Sequence, residues 1–163
     1  MANIQNKKGV FIMSTRCSIL VTDGKQKLNI YHHTDGFIEG VGFDLLKRFW
    51  LTKNKFFNID DTFVLVDEIA NILVKDSLED YEITSYEHAD IDYSYVIDVK
   101  KRELRATEVS ADYDKQTDSY SWNIKKQWSF KEILDAFIKE KGKIKKETDV
   151  MYEKAQLIKQ NIV

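Results

Sequence analysis

The sequence predicts a single α+β domain in which one mainly antiparallel β-sheet of about five or six strands packs against about four helices. Apolar residues recur at every second position through much of 81–109, which is the period of a β-strand. In 62–76 and 129–142 they recur every three or four positions, which is the period of an amphipathic helix. A chain of 163 residues that is 43% hydrophobic can bury one core of this kind.

The chain is expected to divide into a short arm and one domain. Residues 1–12 begin polar and without periodicity, and we expect a flexible N-terminal arm. The α+β domain would then span 13–163, with a C-terminal helical segment at 129–163. Ser129 and Glu132 have the spacing of a capping box at the start of that segment. A terminal amphipathic helix from about Thr148 is a candidate surface for homo-oligomer formation.

The first half predicts a hairpin followed by two helices. Asp23-Gly24 separates two β-rich runs, which is a strong hairpin signal. Alternation along the second strand places His32 on the apolar face and His33 on the opposite face. Gly36, after Asp35, is expected to occupy a left-handed turn position. Helices should follow Gly42 and begin again near residues 60–61.

The second half predicts three strands at 81–86, 93–100 and 103–110 that form a meander. The run 111–119, ADYDKQTDS, is interpreted as a polar loop. A final strand is expected at 120–128. It carries Trp122 and Trp128, which are interpreted as buried or half-buried anchors.

Composition excludes several classes of protein. The net charge is only −2, made up of −6 in residues 1–99 and +4 in 100–163, so direct binding to nucleic acid is disfavoured. Cys17 is the only cysteine, which rules out an internal disulfide and favours a reducing cytosol. The sequence has no apolar run near the roughly 20 residues that span a bilayer, so no membrane association is expected.

The N-terminal part carries a resemblance to a known group of proteins. The residues that carry it are Ser14-Thr15-Arg16, the strand pair, the run Ile30-Tyr31-His32-His33-Thr34-Asp35-Gly36-Phe37 and then Gly40-Val41-Gly42. They resemble the corresponding part of small uncharacterised proteins of bacteriophages and prophages. Those proteins often read STR, a strand, IYxHxDGY and then GxG or NG before a helix. The match covers about 35 residues, with Phe37 in place of the more usual Tyr. The resemblance implies a phage or mobile-element origin.

Residues 76–99 contain eight acids and no Lys or Arg, with Tyr81, Tyr86, Tyr93 and Tyr95 between them. An acidic, tyrosine-rich surface can complement a basic protein groove, although an ordinary charged strand face would look similar. Together with a phage origin it favours a non-enzymatic accessory protein in the host cytosol that binds a protein with a basic surface. Such a protein could inhibit a host defence system in an anti-CRISPR-like way. The expected contact residues are Asp76, Glu79, Asp80, Glu82, Tyr86, Glu87, Asp90, Asp92 and Tyr93.

The alternative is a nucleotide-binding or metal-binding protein, or a hydrolase. His33 and Asp35 could act as an acid–base pair or as ligands, and the loop of Gly36, Gly40 and Gly42 before a helix could bind an anion. The glycines lack the third position of a dinucleotide fingerprint and the Gly-Lys-Ser/Thr of a P-loop. A tight turn and a hydrogen-bonded loop explain the same residues. The sequence therefore predicts no cofactor and no metal site, and enzymatic activity is disfavoured.

Overall fold

The computed structural model describes residues 15–52, 61–76, 80–85, 88, 90–142 and 150–162, so the predicted arm at 1–12 lies outside the described residues. The six strands found among these residues form one sheet in the order β3-β2-β1-β4-β5-β6. Neighbouring strands are antiparallel except β1 and β4, which are parallel. The predicted α+β class and mainly antiparallel sheet are confirmed. The strands are β1 (Cys17–Thr22), β2 (Lys27–His32), β3 (Tyr81–Thr84), β4 (Tyr93–Asp98), β5 (Glu103–Asp114) and β6 (Ser119–Trp128).

The first helical segment begins earlier than the sequence suggested. It consists of a π-helical turn (Ile38–Gly42), the α-helix α1 (Phe43–Leu46) and a second π-helical turn (Lys47–Leu51). Among the described residues no helix has both the length and the hydrophobicity required to cross a bilayer. The remaining helices are α2 (Thr62–Asp76), α3 (Phe130–Gly142) and α4 (Val150–Gln160).

The helix starts follow local sequence signals. The Asp61 carboxylate accepts the backbone N–H groups of Phe63 and Val64 at the start of α2. At α3 the predicted capping box is present. The Ser129 N–H donates to the Glu132 carboxylate at 2.7 Å, and the Glu132 N–H donates to the Ser129 hydroxyl at 3.2 Å.

The helices cover one face of the sheet and form the core with it. Ile19 of β1 pairs with Ile30 on one side and with Tyr95 on the other, and all three are fully buried. Helix α4 contributes Ala155, also fully buried, with Met151, Ile158 and Ile162 packed beside it. The apolar stripe of the terminal helix thus packs within its own chain. A homo-oligomer formed through this helix stays a prediction.

The predicted polar loop at 111–119 is wrong. Strand β5 continues to Asp114, β6 begins at Ser119, and the two remain paired to the end. Strand β4 pairs with β5 only as far as Glu108. Residues 109–124, the hairpin arm, therefore extend past β4 as a two-stranded ribbon of about 20 Å at 3.4 Å per residue.

Gly36 is required for a reason other than the predicted left-handed turn. The residue with positive φ is Asp35, at 53°. A Cβ on Gly36 would lie only 2.9 Å from the backbone carbon of Arg16 and 2.9 Å from the Cys17 Cβ. The Gly36 N–H donates to the Thr15 carbonyl, and the Gly36 carbonyl accepts from the buried Tyr95 hydroxyl at 2.7 Å. The loop is therefore pressed against the start of β1.

Gly36→Ala should lower the free energy of unfolding by about 1–3 kcal/mol, since the added methyl group has no space and must displace backbone. Urea unfolding monitored by circular dichroism measures the change. Gly142→Ala is the matched control, because the nearest atom to its added Cβ is at 3.9 Å. Equal stability of the two variants would contradict the close packing at Gly36.

Candidate functional site

The second face of the sheet, opposite the helices, is partly covered by the connection between β3 and β4. The His88 ring stacks on the Tyr31 ring with centroids 4.0 Å apart. The Tyr31 hydroxyl donates to the Asp90 carboxylate at 3.2 Å, and the Arg16 guanidinium contacts the same carboxylate at 2.7 Å. The Asp92 carboxylate accepts the Arg16 N–H at 3.0 Å. Asp90 and Asp92, both predicted contact residues, thus also anchor this connection to the sheet.

The other predicted contact residues are distributed over both faces. Glu82 is exposed on the second face and lies 3.5 Å from His33 Nε2. Tyr93 is partly buried beside the core, and burial, with help from Glu108, raises the pKa of its phenol to about 12. Asp80 borders a hollow on the helix side. Glu79, Tyr86, Glu87 and the side chain of Asp76 lie outside the described part.

The hairpin arm has one apolar side and one polar side. The cross-strand pairs on the apolar side are Val109 with Ile124, Ala111 with Trp122, and Tyr113 with Tyr120. Polar pairs alternate with them, including Ser110 with Asn123 and Asp112 with Ser121. The apolar side carries large exposed side chains: Tyr113 (48% exposed), Tyr120 (62%), Trp122 (42%) and Ile124 (62%).

An apolar hollow of about 320 Å³ lies at the base of the arm. It opens on the second face, next to the anchored connection. Trp122, interpreted from the sequence as a buried or half-buried anchor, is 42% exposed and forms one wall of this hollow. The alternation in 109–113 was the signal for this surface. It was obscured by the polar residues that alternate with it, Ser110, Asp112 and Asp114. The hollow is lined by His88, Ile91, Ser94, Thr107, Val109, Trp122 and Ile124.

A polar hollow of about 310 Å³ lies on the helix side, where β2 ends and β3 begins. The His32 ring lines it, is only 7% exposed and packs on the Tyr81 ring at 4.3 Å. The Tyr81 hydroxyl donates to the Asp44 carboxylate at 2.7 Å, and Arg48 Nε donates to the same carboxylate at 2.8 Å. Burial, and then the Asp44 charge, hold the pKa of Tyr81 far above its usual value. Tyr81 therefore acts as a hydrogen-bond donor.

The structure places His33 and Asp35 in different surroundings. His33 contacts the Tyr31 ring at 4.6 Å and Glu82 on the second face, whereas Asp35 borders the polar hollow beside His32. His32, which the sequence also offered as a possible ligand but which ranked behind the pair of His33 and Asp35, is the histidine that lines the hollow. The alternation that places His32 on the apolar face was the available signal.

The glycine loop is poorly suited to bind an anion, because its backbone N–H groups already donate hydrogen bonds within the loop. The N–H groups of Gly40 and Gly42 donate to the Phe37 carbonyl, and the Val41 N–H donates to the Asp35 carbonyl. A phosphate-binding loop needs its backbone N–H groups to point toward the ligand. Within the described ranges, no three His, Cys, Asp or Glu side chains are arranged to hold a metal ion. Burial also raises the pKa of the Cys17 thiol far above its usual value, so that it is not a reactive thiolate at neutral pH.

His32→Gln should reduce the loss of stability that accompanies mild acidification. Burial lowers the pKa of folded His32, and a backbone hydrogen bond with Thr34, followed by the carboxylates of Asp80, Asp44 and Asp35, offsets only part of this effect. In the unfolded chain the His32 imidazole becomes protonated near pH 6.5, and in the folded protein it becomes protonated only at lower pH. The free energy of unfolding therefore falls as the pH drops below 6.5, until the lowered folded pKa is passed. Thermal unfolding at pH 7 and pH 5 compares the variants, with exposed His33→Gln as the control. An identical pH dependence in His32→Gln and wild type would contradict this role.

No protein-family model, curated protein or solved structure matches this chain. Two surfaces of its own structure are candidate binding sites. One is the apolar side of the hairpin arm with the hollow at its base. The other is the polar hollow around His32.

Proposed function

We propose that this protein acts by binding another protein through the apolar side of the hairpin arm and the hollow at its base. The observation that carries the proposal is the set of four large apolar side chains exposed together on one side of the ribbon. Contiguous exposed apolar surface on a small domain usually marks an interaction site. Trp and Tyr are also the residues that most often dominate binding energy at interfaces.

Charge supports a partner with a basic surface. The hairpin arm contains three aspartates and one lysine, for a net charge of −2. The neighbouring residues 76–99 add eight acids without a Lys or Arg. The exposed acids among the described ones are Asp80, Glu82, Asp90 and Asp92. Asp90 and Asp92 flank Ile91 at the apolar hollow, whereas Glu82 lies on β3 at the opposite edge of the sheet. Acidic groups around an apolar surface steer a basic partner toward it and disfavour acidic competitors.

The shape of the surface supports an extended segment as the bound element. Strand β6 is the last strand of the sheet, so no other described strand pairs with its outer edge. An extended peptide can add to such an edge through backbone hydrogen bonds, while pockets select its side chains. The apolar hollow lies beside this edge, between Trp122 and Ile91, and would receive one aliphatic or aromatic side chain of the partner.

A narrower form of the proposal follows from the resemblance to phage proteins. In it, the protein is a phage or mobile-element accessory protein that inhibits a host defence enzyme in the host cytosol. Enzymes that act on nucleic acids carry Lys- and Arg-rich grooves to contact phosphates. An acidic arm with aromatic anchors complements such a groove. In this form the protein is an inhibitor without catalytic activity of its own.

Selection of peptides from a random display library on the immobilised protein tests the binding surface. We expect enriched peptides to combine one large apolar residue with flanking Lys or Arg. Trp122→Ser should weaken their binding by about 2 kcal/mol or more, which is the effect of losing an interface anchor. Binding should also weaken as salt is raised, because the acids are exposed and screened.

Ser121→Ala is the matched control, since Ser121 lies on the polar side of the same strand next to Trp122. Circular dichroism of each variant separates lost binding from lost folding. Peptides that bind Trp122→Ser as tightly as wild type, or a consensus without basic residues, would overturn the proposal. Capture of a nuclease from lysate by wild type, but not by Trp122→Ser, would support its narrower form.

A further inference from the structure

The residues before β1 include a segment with the chemistry of the proposed ligand. Residues 7–13, the N-terminal segment, read KKGVFIM, with two lysines, four consecutive apolar residues and no acid. The segment has a net charge of +2, and the hairpin arm has a net charge of −2. Val, Phe and Ile favour the extended conformation that a strand edge binds, and no proline interrupts them. The chain itself thus contains a basic, apolar segment of the class expected for the partner.

The start of β1 lies beside the base of the hairpin arm. The Arg16 carbonyl accepts the Asp92 N–H at 2.9 Å, and the Asp92 carbonyl accepts the Val109 N–H at 2.8 Å. A single residue therefore separates Arg16 from Val109, the first residue of the arm. Val109 and Ile91, the neighbour of Asp92, both line the apolar hollow. The N-terminal segment is therefore tethered next to the surface on which the proposed partner binds.

The hairpin arm leaves one strand edge open on the side of this tether. Strand β4 pairs with β5 only as far as Glu108, so no described strand pairs with this edge of β5 from Val109 to Asp114. Because β1 is parallel to β4 and β4 is antiparallel to β5, the chain that leads into β1 comes from the end where the arm projects. An extended segment binds such an edge through backbone hydrogen bonds.

The tether has the length that this arrangement requires. Met13 and Val10 lie two and five positions before Thr15, so the apolar run spans about 7 Å to about 17 Å from Thr15 at 3.3 Å per residue. The arm projects about 20 Å beyond β4. A lateral shift of one strand spacing, about 5 Å, brings the line of β1 next to β5. The apolar run is therefore long enough to reach the exposed aromatic rings of the arm.

We infer that the N-terminal segment packs its apolar run, residues 10–13, on the apolar side of the hairpin arm of its own chain, and that it competes there with the protein partner. Lys7 and Lys8 are attracted by the three aspartates of the arm. A short tether holds its ligand at a millimolar effective concentration, which is enough to occupy a weak site. The inference rests on the proposed function, because it makes the segment an internal competitor for that surface.

Nuclear magnetic resonance of the full chain tests the contact without an external ligand. The indole N–H resonance of Trp122, assigned by its loss in Trp122→Phe, reports the surroundings of that ring. The double variant Phe11→Ser with Ile12→Ser removes a large apolar side chain from each side of an extended segment, and it should shift this resonance. Ala2→Ser with Ile4→Ser is the matched control and should leave it unchanged.

A second variant keeps the apolar run and changes only its charge. Lys7→Glu with Lys8→Glu should shift the Trp122 resonance in the same direction, because the arm then repels the segment. The resonance of Trp50, which is 7% exposed in the core, should not move in any of these variants. Circular dichroism verifies that each variant is folded.

Affinity for the library-selected peptides tests the competition. These peptides should bind the Phe11→Ser, Ile12→Ser variant about tenfold more tightly than wild type. A factor of about ten is expected when a ligand at about 1 mM effective concentration occupies the site with a Kd of about 0.1 mM. The matched control should bind them as wild type does.

An unchanged Trp122 resonance in the Phe11→Ser, Ile12→Ser variant would overturn the inference. A Trp122 resonance that moves when wild type is diluted would also overturn it, because the segment would then bind a second copy of the chain. Equal peptide affinity in wild type and variant would refute the competition and leave the proposed function intact. Peptides that bind neither protein would instead overturn the proposed function, so the two failures are distinguishable.

Discussion

The parallel pairing of β1 with β4 is the constraint on which the rest of the structure depends. Parallel neighbours cannot be joined by a tight turn, so the chain must cross a face of the sheet to enter β4. Here β3 lies at one edge, and two described residues of the connection from β3 to β4, His88 and Asp90, pack against Tyr31 of β2 on the second face. Arg16 at the start of β1 holds this connection by its guanidinium contact with Asp90 and its N–H bond to Asp92. The acidic connection is therefore held against the sheet by these two contacts.

The same pairing brings both candidate sites to one end of the sheet. Cys17 pairs with His32 on one side and with Tyr93 on the other, His32 pairs with Tyr81, and Tyr93 pairs with Glu108. The polar hollow opens at this end on the helix side, and the hairpin arm begins at this end beyond Glu108. Each site is thus built from strand ends that are distant in sequence.

The distribution of partners explains how one end of the sheet tolerates so many acids. Partly buried Asp44 is neutralised by Arg48 and bonded to Tyr81, and Asp90 is neutralised by Arg16 and bonded to Tyr31. Desolvated carboxylates without such partners would favour the neutral form and destabilise the fold. Asp35 and Asp80 are instead exposed, where water screens them at little cost. Acids with structural partners and exposed acids therefore lie side by side at the same end of the sheet.

Much of the fold could be predicted because local signals were clear. The hairpin at Asp23-Gly24, the helix at 62–76 and the capping box of Ser129 and Glu132 depend on neighbours a few residues away. The hairpin arm could not be predicted in the same way. Its strands are rich in Asp, Ser and Asn, which favour turns, and only pairing between 109–114 and 119–124 gives these residues a strand conformation. Trp122 was predicted to be buried or half-buried, and it is 42% exposed because it lies on the ribbon and not over the core.

The candidate sites were predictable only in part. Alternation along β2 correctly separates the buried His32 from the exposed His33, because successive side chains of a strand point to opposite faces. Neither the glycine spacing nor the acidic run could reveal which side chains would lie in contact in the folded protein. Local patterns, then, specify which segments become strands and helices and which face of each is apolar. Long-range contacts specify the strand order, the partners of Asp90 and Asp44, and the residues that line both hollows. Arg16 and Asp90 are 74 positions apart, and no periodicity within one segment carries information over that distance.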